Sequence, residues 1–564
     1  MGTGQLPKKS ILSTDIIYLS LILLLSLFIC WPLFNNDFMT TIDGGGHLLG
    51  LYSLKIFMGF DQLFVRWIPY LHGYGCPFFN FYPPMFATIG ALLAKAGLGI
   101  VWALNLTSFF FILLSGITMY FFAKEIWGAE GGFLSAAAYI FAPYQMVDLY
   151  ARGAYAESAS FAFLPFILWV FLRLHHKQNI LYLSIASLSV AGLILTHNCV
   201  TLMFCPVILF YIVMLNIPNL RTDYRPLLLS MTAFALGIGL ACFFWLPAFV
   251  EKKYIHIEKL LNGIFDFHKN FLTIKELFYS PWPKISGTGL PFEIGPVHCL
   301  LTIISLCFIQ RTTKGRKFIL YLVILCVFIL AITIFSTLPP SAFIWENIPI
   351  LRFIQFPSRL LVLITLMVCI LIGGVTLIFN SHRNQLIIMI LGVLMIFMMN
   401  FSNCHPPYGT KKVNVDGIPP TFVYRNLHSQ DGGEYTPIWA QDIRDPVPFK
   451  DLEIIKGDGI ILSRQEVPEL HQVFLIKAFS PMLVCFNVFY FPGWTIKVDG
   501  QLVDIMNDNP FGLIVFPVEE GEHVIKADFG ATPIRRDATI VSIICLIFLL
   551  GLIFLGLHRL VYKR

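Results

Sequence analysis

Charge is scarce in this chain: Lys, Arg, Asp and Glu together make 13% of 564 residues, while 57% are hydrophobic. A soluble fold of this length has no use for so much apolar surface. Runs of about 17–25 apolar residues recur, each long enough to cross a bilayer. There is no CxxC pair and no Cys/His metal spacing among the 12 cysteines, so they do not read as a zinc or redox motif. Cys30, Cys242, Cys307, Cys326, Cys369 and Cys545 lie inside apolar runs and read as small hydrophobes. Cys404 and Cys485 fall in one polar segment, and a disulfide between them stays open. A fixed-period repeat and a low-complexity tract are both absent. The net charge of +6 sits in short basic clusters between apolar runs, which points to membrane topology and away from nucleic acid. These traits define a polytopic α-helical membrane protein.

Lys8 and Lys9 precede an apolar run from Ile16 to Leu33 that no small-residue cleavage site follows. This predicts a retained anchor with its N-terminus in the cytoplasm. The stretch Phe81–Gly99 decides the rest. It carries Pro83, Pro84 and Lys95, and a lysine near the centre of a span costs roughly 2.5–3.5 kcal/mol. We therefore expect it to lie flat on the outer surface. The remaining spans are then 102–123, 131–146, 157–173, 180–196, 200–216, 227–249, 297–310, 318–337, 358–379, 385–401 and 538–557, about twelve with the first. On this map Lys124, Arg173, Lys177, Arg221, Arg225, Arg311, Lys314, Arg316, Lys317, Arg383 and the tail with Arg559, Lys563 and Arg564 are all cytoplasmic, as the positive-inside bias requires. The outer face collects 34–101, 147–156, 197–199, 250–296, 338–357 and 402–537. Chemistry is therefore expected outside.

Three parts follow: a transmembrane domain over 1–401 with an outer loop at 34–101, an extracytoplasmic domain over 402–537, and a last helix with a basic tail over 538–564. The second half of 402–537 alternates like strands, in VFLIKAF, MLVCFNVFYF, WTIKVDGQLVDI, GLIVFPV and HVIKADF. Asp499-Gly500 is a strong hairpin turn between two such runs. An antiparallel β-sandwich is predicted.

The stretch Asp43–Pro84 packs acid, histidine, arginine, glycine and aromatics beside a membrane surface. Asp43 precedes three glycines, which let backbone approach a ligand. It suits a general base on a hydroxyl and, equally, the N-cap of a helix from His47. His47 would share a face with it. Arg66 fits either a lipid headgroup or a bidentate phosphate contact. Phe78, Phe79, Phe81 and Tyr82 read first as an interfacial belt. In the second outer loop, Asp148, Tyr150, Arg152 and Glu157 lie at the membrane edge, where charge is costly unless paired. An Asp148–Arg152 ion pair and a phosphate contact by Arg152, with Glu157 on a sugar hydroxyl, are compatible. His197-Asn198 reads first as helix capping. Arg352, Gln355 and Arg359 flank Pro357, which suits a helix start and aims Arg359 at the outer edge. Snorkelling competes there. The long loop 250–296 has the length of a lid or binding loop.

Asp43 with His47, then RWIPYLHGYGCPFFNFYPP, DLYARGAYAE and QFPSRLL, resemble the bacterial and archaeal membrane family named for a 6-pyruvoyl-tetrahydropterin synthase-related domain. That family is similar to the GT-C glycosyltransferases. FYFPGWTIKVDG with a final span resembles the tail domain of related GT-C proteins. The pterin name brings no pterin chemistry, because no soluble zinc-synthase pattern is present. The resemblance implies a GT-C-like fold in the cytoplasmic (inner) membrane, both termini inside, with Asp43 as the catalytic acid of the first outer loop. It implies a polyprenyl-phosphate-linked sugar donor, an extracytoplasmic glycan, lipid or protein acceptor, and inversion at the anomeric carbon. His47, Arg66, Asp148, Tyr150, Arg152, Glu157, His197, Gln355 and Arg359 become the candidate substrate-binding set. Some members carry a DxD or paired-acid pattern. Here Asp43-Gly44-Gly45 stands in that place and the next acid is Asp61, so a divalent metal stays open and is not required by the sequence. A flippase of lipid-linked sugars, or a non-catalytic glycan-assembly protein, are the competing readings. Charges at one edge and the lack of a repeat speak against transport.

Overall fold

The computed structural model describes residues 8–59, 64–69, 71–217, 222–282, 289–313, 315–413, 433–440, 451–465 and 470–562. Asp61, Arg221, Lys314, Lys563 and Arg564 lie outside the described residues.

Each of the apolar stretches expected to span is helical. Among the described residues, seven helices are long and apolar enough to cross a membrane, or eight if the pair Arg225–Leu240 and Cys242–Tyr254, bent by 65°, is one span. Ile180–Thr196 and Pro296–Cys307 are shorter apolar helices. The 41-residue stretch Ile100–Ile140 is not straight, because Gly128 breaks it at φ 85°. A Cβ on Gly116 would come within 2.9 Å of Ile140, and one on Gly132 within 3.0 Å of the Tyr120 carbonyl oxygen. Residues so far apart in sequence can meet only if the chain folds back at Gly128, which a side chain would strain. The two arms of this hairpin cover the stretch expected at 102–123 and, to Ile140, the stretch expected at 131–146. Met85–Lys95 is a helix of 11 residues, about 16 Å long at 1.5 Å per residue, too short to cross.

The bundle has two chemically different ends. At one, Asp15 of the helix Lys8–Ile29 accepts from the Tyr120 hydroxyl at 2.5 Å and pairs with Lys124. Arg173 pairs with Glu125 nearby, and His175 bonds Asn216 at 3.2 Å. At the other end of the same helix, the Ile29 carbonyl accepts from Tyr150, and Asn105 donates to the Leu33 carbonyl at 2.9 Å. The basic turns gather at the first end; Asp43, Arg152, His197 and Arg359 gather at the second.

The C-terminal region is two antiparallel sheets. One has the order β4-β5-β10-β7-β8, from Gly459–Gln465, His471–Ala478, Gly521–Phe529, Trp494–Val498 and Gln501–Val503; the other is β3-β6-β9, from Leu452–Lys456, Met482–Phe489 and Leu513–Val518. Alternate residues of β5 are buried, and Phe474, Phe486, Trp494, Ile496, Phe516 and Ile525 form the common core. Asp499 and Gly500 both take positive φ, 51° and 85°, as the predicted two-residue hairpin demands. Among the described residues no disulfide joins Cys404 and Cys485; the Cys404 thiol contacts the Asn400 carbonyl at 3.4 Å, and Cys485 lies in the sandwich core.

This region is tied to the bundle at the second end. A two-residue strand, β1 (Phe38–Met39), pairs with β2 (Thr410–Lys411) just before Asp43. Trp67 packs edge-on to Trp494 with ring centres 5.6 Å apart. Below it runs a buried polar network. Glu251 accepts from Asn80 at 2.8 Å, Thr532 at 2.6 Å and Arg535 at 3.0 Å, and Asn80 accepts from Arg66 at 2.9 Å. Glu251 and Arg535 are both buried. Removing one member of a buried pair strands the other charge, at about 3–5 kcal/mol. Arg535→Met should therefore lower the thermal midpoint of the detergent-solubilised chain steeply, and Glu251→Leu combined with Arg535→Met should recover most of it. Equal losses in single and double variants would show that the pair does not tie these parts together.

Candidate active site

Asp43 sits where two loops are clamped by backbone hydrogen bonds. Its N–H donates to the Arg152 carbonyl at 2.6 Å, and the Ile42 N–H to the Ala151 carbonyl at 3.4 Å. The clamp needs a glycine at 153, where φ is 70° and a Cβ would come within 2.9 Å of the Gly44 nitrogen. Asp43 is the N-terminal flanking residue of the helix Gly44–Phe57, yet its side chain makes no capping hydrogen bond. Of the two readings that spacing left open, side-chain capping is not the one adopted. The carboxylate is left 44% exposed at the rim, with Arg152 Nη2 3.7 Å away. Protein crowds it on the remaining sides and raises its pKa above the ordinary carboxylate value; Arg152 and Arg359 oppose the rise.

Arg152 ends a π-helical turn, Val147–Arg152. Its Nη1 donates to Asp148 at 2.9 Å, Glu157 at 3.1 Å and the Tyr144 hydroxyl at 3.2 Å. Glu157 is the hub. Its Oε1 accepts from Tyr144 at 2.7 Å, and Oε2 faces both Arg152 and Arg359 Nε, the latter at 3.3 Å. It is 1% exposed, so an internal ion network occupies the carboxylate that was expected on a sugar hydroxyl. Burial and the Glu157 charge push the Asp148 carboxyl well above its ordinary pKa, against Arg152. Arg359 lies at the start of Pro357–Ile378. Its Nη1 donates to the Ile354 carbonyl at 2.9 Å and to Gln355, which holds a positive φ of 69°. Among the described residues neither Arg152 Nη2 nor Arg359 Nη2 donates a hydrogen bond within the chain.

Two histidines close the cluster. His47 stands between Tyr82, Phe86 and Tyr155, with ring centres 5.8, 5.8 and 5.4 Å away. Its Nε2 is 3.4 Å from the Tyr82 hydroxyl. His197 caps the helix Asn198–Asn216, its Nδ1 accepting from the Val200 N–H at 3.2 Å, so its Nε2 carries the proton that faces Glu157 at 3.9 Å. Capping and membership of the cluster both hold there. Burial pushes the two down to about 3 and about 4, His47 next by His197 and Arg152.

The structure thus brings together Asp43, His47, Asp148, Arg152, Glu157, His197, Gln355 and Arg359. It does not bring in Arg66, which donates to Asn80 and, at 2.6 Å, to the Phe243 carbonyl in the Glu251 network. Tyr150 is also turned away, its hydroxyl donating to Ile29 of the first helix. Sequence reasoning missed Tyr144, which bridges Glu157 and Arg152. Its place one helical turn before Asp148 was the available signal. Cys199, 3.4 Å from Arg359 Nη1, carried no signal at all. Among the described residues no group of three His, Cys, Asp or Glu is placed to hold a metal ion.

Apolar helices enclosing a charge cluster at one end of their bundle define an integral membrane protein with a polar site at the membrane edge. The chain belongs to the membrane protein family described as 6-pyruvoyl-tetrahydropterin synthase related domain, which matches residues 79–402. An uncharacterized protein of Lactococcus lactis subsp. cremoris (strain MG1363) is 22% identical over 269 residues, 44% of this chain and 42% of its own length. Among solved structures, the mycobacterial arabinofuranosyltransferase AftD is 14% identical with a TM-score of 0.46, over 74% of this chain and 28% of that one. ArnT from Cupriavidus metallidurans, solved with undecaprenyl phosphate, is 13% identical with a TM-score of 0.40, over 73% and 67%. The chain spans less than half the length of the curated relative it matches.

Histidines whose pKa is depressed by folding oppose protonation of the native state. From the ordinary 6.5 down toward the folded values of about 3 and 4, the unfolded chain binds protons that the native chain does not, so stability falls with pH. The thermal midpoint should drop between pH 6.5 and 4, and His47→Gln with His197→Asn should flatten that slope in a melting series.

Proposed function

We propose that the protein is a membrane glycosyltransferase that moves a sugar from a polyprenyl-phosphate donor to a hydroxyl acceptor on the extracytoplasmic side, with inversion. The observation that carries this reading is one half-exposed carboxylate with Arg152 Nη2 3.7 Å away, and, among the described residues, no hydrogen bond within the chain from the Nη2 of either Arg152 or Arg359. Asp43 takes the proton of the acceptor hydroxyl as its oxygen attacks the anomeric carbon. The bond from that carbon to the phosphate oxygen breaks, and the electron pair leaves with the lipid phosphate. Arg152 and Arg359 meet the growing phosphate charge from a preorganised position, where such donors act most strongly. Glu157 holds both guanidiniums in place and is a positioning residue. His47 and His197, neutral, add hydrogen-bonding edges without adding charge. Arg66 has no part in the step. Basic turns at the opposite end of the bundle support an outward-facing site, and the gathering of charge at one end favours transfer over transport.

Asp43→Asn should reduce transfer from a radiolabelled polyprenyl-phosphate sugar by about 10²–10⁴-fold while leaving the melting curve intact. Normal transfer by that variant would remove Asp43 as the base, and movement of the lipid-sugar across the membrane without a new glycosidic bond would make the protein a transporter. Because the Asp43 pKa is raised, activity should climb with pH through a value above 3.8. In a pH–rate profile this acid limb should vanish in Asp43→Asn. Arg359→Lys keeps the charge but loses the fork, and should lower kcat by about 10².

A further inference from the structure

A cavity of about 90 Å³ lies between the segments 279–282 and 293–298 and the end of the helix His382–Asn400. Tyr279, Trp282, Glu293, His298 and Asn400 line it. Phe292, the chain neighbour of Glu293, packs on Tyr144 of the site with ring centres 5.9 Å apart. The polar groups here are built in but not satisfied. His298 is 1% exposed; its Nε2 donates to the Ala138 carbonyl at 2.9 Å, so Nδ1 is a lone-pair acceptor, and it has no partner. The buried Trp282 indole N–H also has none. Asn400 spends its amide on the Ile396 carbonyl at 2.8 Å, which leaves its oxygen. Glu293, 5% exposed, accepts from the Ser280 N–H through one oxygen.

An ammonium group offers only donors and a phosphate monoester dianion only acceptors. Orphans of both kinds face this cavity, and a hydroxyl answers both. Trp282 and Tyr279 add ring faces for the C–H side of a sugar. We infer that the cavity is a subsite for a vicinal diol, the hydroxylated edge of a saccharide. Its role as the acceptor subsite rests on the transferase reading above; its binding of sugar does not. Burial raises the Glu293 pKa to about 7. The titratable groups around it are Tyr279 on its own loop, His298 and Cys299 on the following helix, and His405 beside Trp282, and no lysine or arginine pairs with it among the described residues. A carboxylate accepts a hydroxyl hydrogen bond more strongly when ionised, so affinity rises as pH passes 7.

The test is saturation-transfer NMR on the full chain in detergent, with glycerol and the methyl glycosides of glucose, galactose and mannose as probes. At least one probe should receive saturation, more at pH 8 than at pH 6. Glu293→Gln and Trp282→Phe should each weaken its binding at least fivefold, and Glu293→Gln should remove the pH dependence. Transfer to none of the four, or equal transfer in both variants, means that water alone fills the cavity and overturns the inference. The radiolabelled transfer assay separates the two ideas: sugar binding with no transfer by the unaltered chain sinks the transferase alone, and transfer that Asp43→Asn abolishes, without sugar binding by any probe, sinks the subsite alone.

Discussion

Two guanidiniums share one buried carboxylate, and the candidate site depends on that sharing. Arg152 and Arg359 come from segments far apart in sequence, and each would repel the other at this distance without Glu157 between them. Glu157 in turn could not stay ionised in an apolar bundle without both. Tyr144 and His197 add hydrogen-bond donors around the same carboxylate. The cost of burying charge is offset inside the network, so the outward nitrogens are held still without being used up. Asp43 is the one acid of the group that stays open to water.

Much of this was legible because membrane proteins obey few and strict rules. Apolar length marked the helices, and basic turns marked one end. Asp499-Gly500 marked the hairpin that β7 and β8 form. The alternation of His471–Ala478 marked a sheet with one face in a core. At the site, charge at the ends of apolar runs brought Asp43, Arg152, Glu157 and Arg359 forward as candidates, since such residues need partners there, while spacing left Asp43 even between base and cap and Arg359 even between phosphate and headgroup.

What stayed hidden was pairing. Arg66 and Arg152 are the same residue type in similar outer loops, and nothing local says that one joins Asn80 and the other Glu157. That choice is made by helix packing. Likewise Tyr150 and Tyr144 stand on one short segment, six residues apart, yet one anchors the first helix and the other the ion network. Glu251 and Arg535 stand 284 residues apart. Their meeting fixes the last helix to the outer loop, and no window of sequence contains both.

The short strand at Phe38–Met39 has an implication for assembly. Its partner at Thr410 emerges from the ribosome more than 370 residues after it, as the 373-residue separation between Asp37 and Thr410 records. Until then the turn carrying Asp43 is fastened on one flank only. A chain halted before residue 410 would carry the preceding helices while Phe38–Met39 still lacked its partner strand. Completion of translation is thereby built into the shaping of the Asp43 turn.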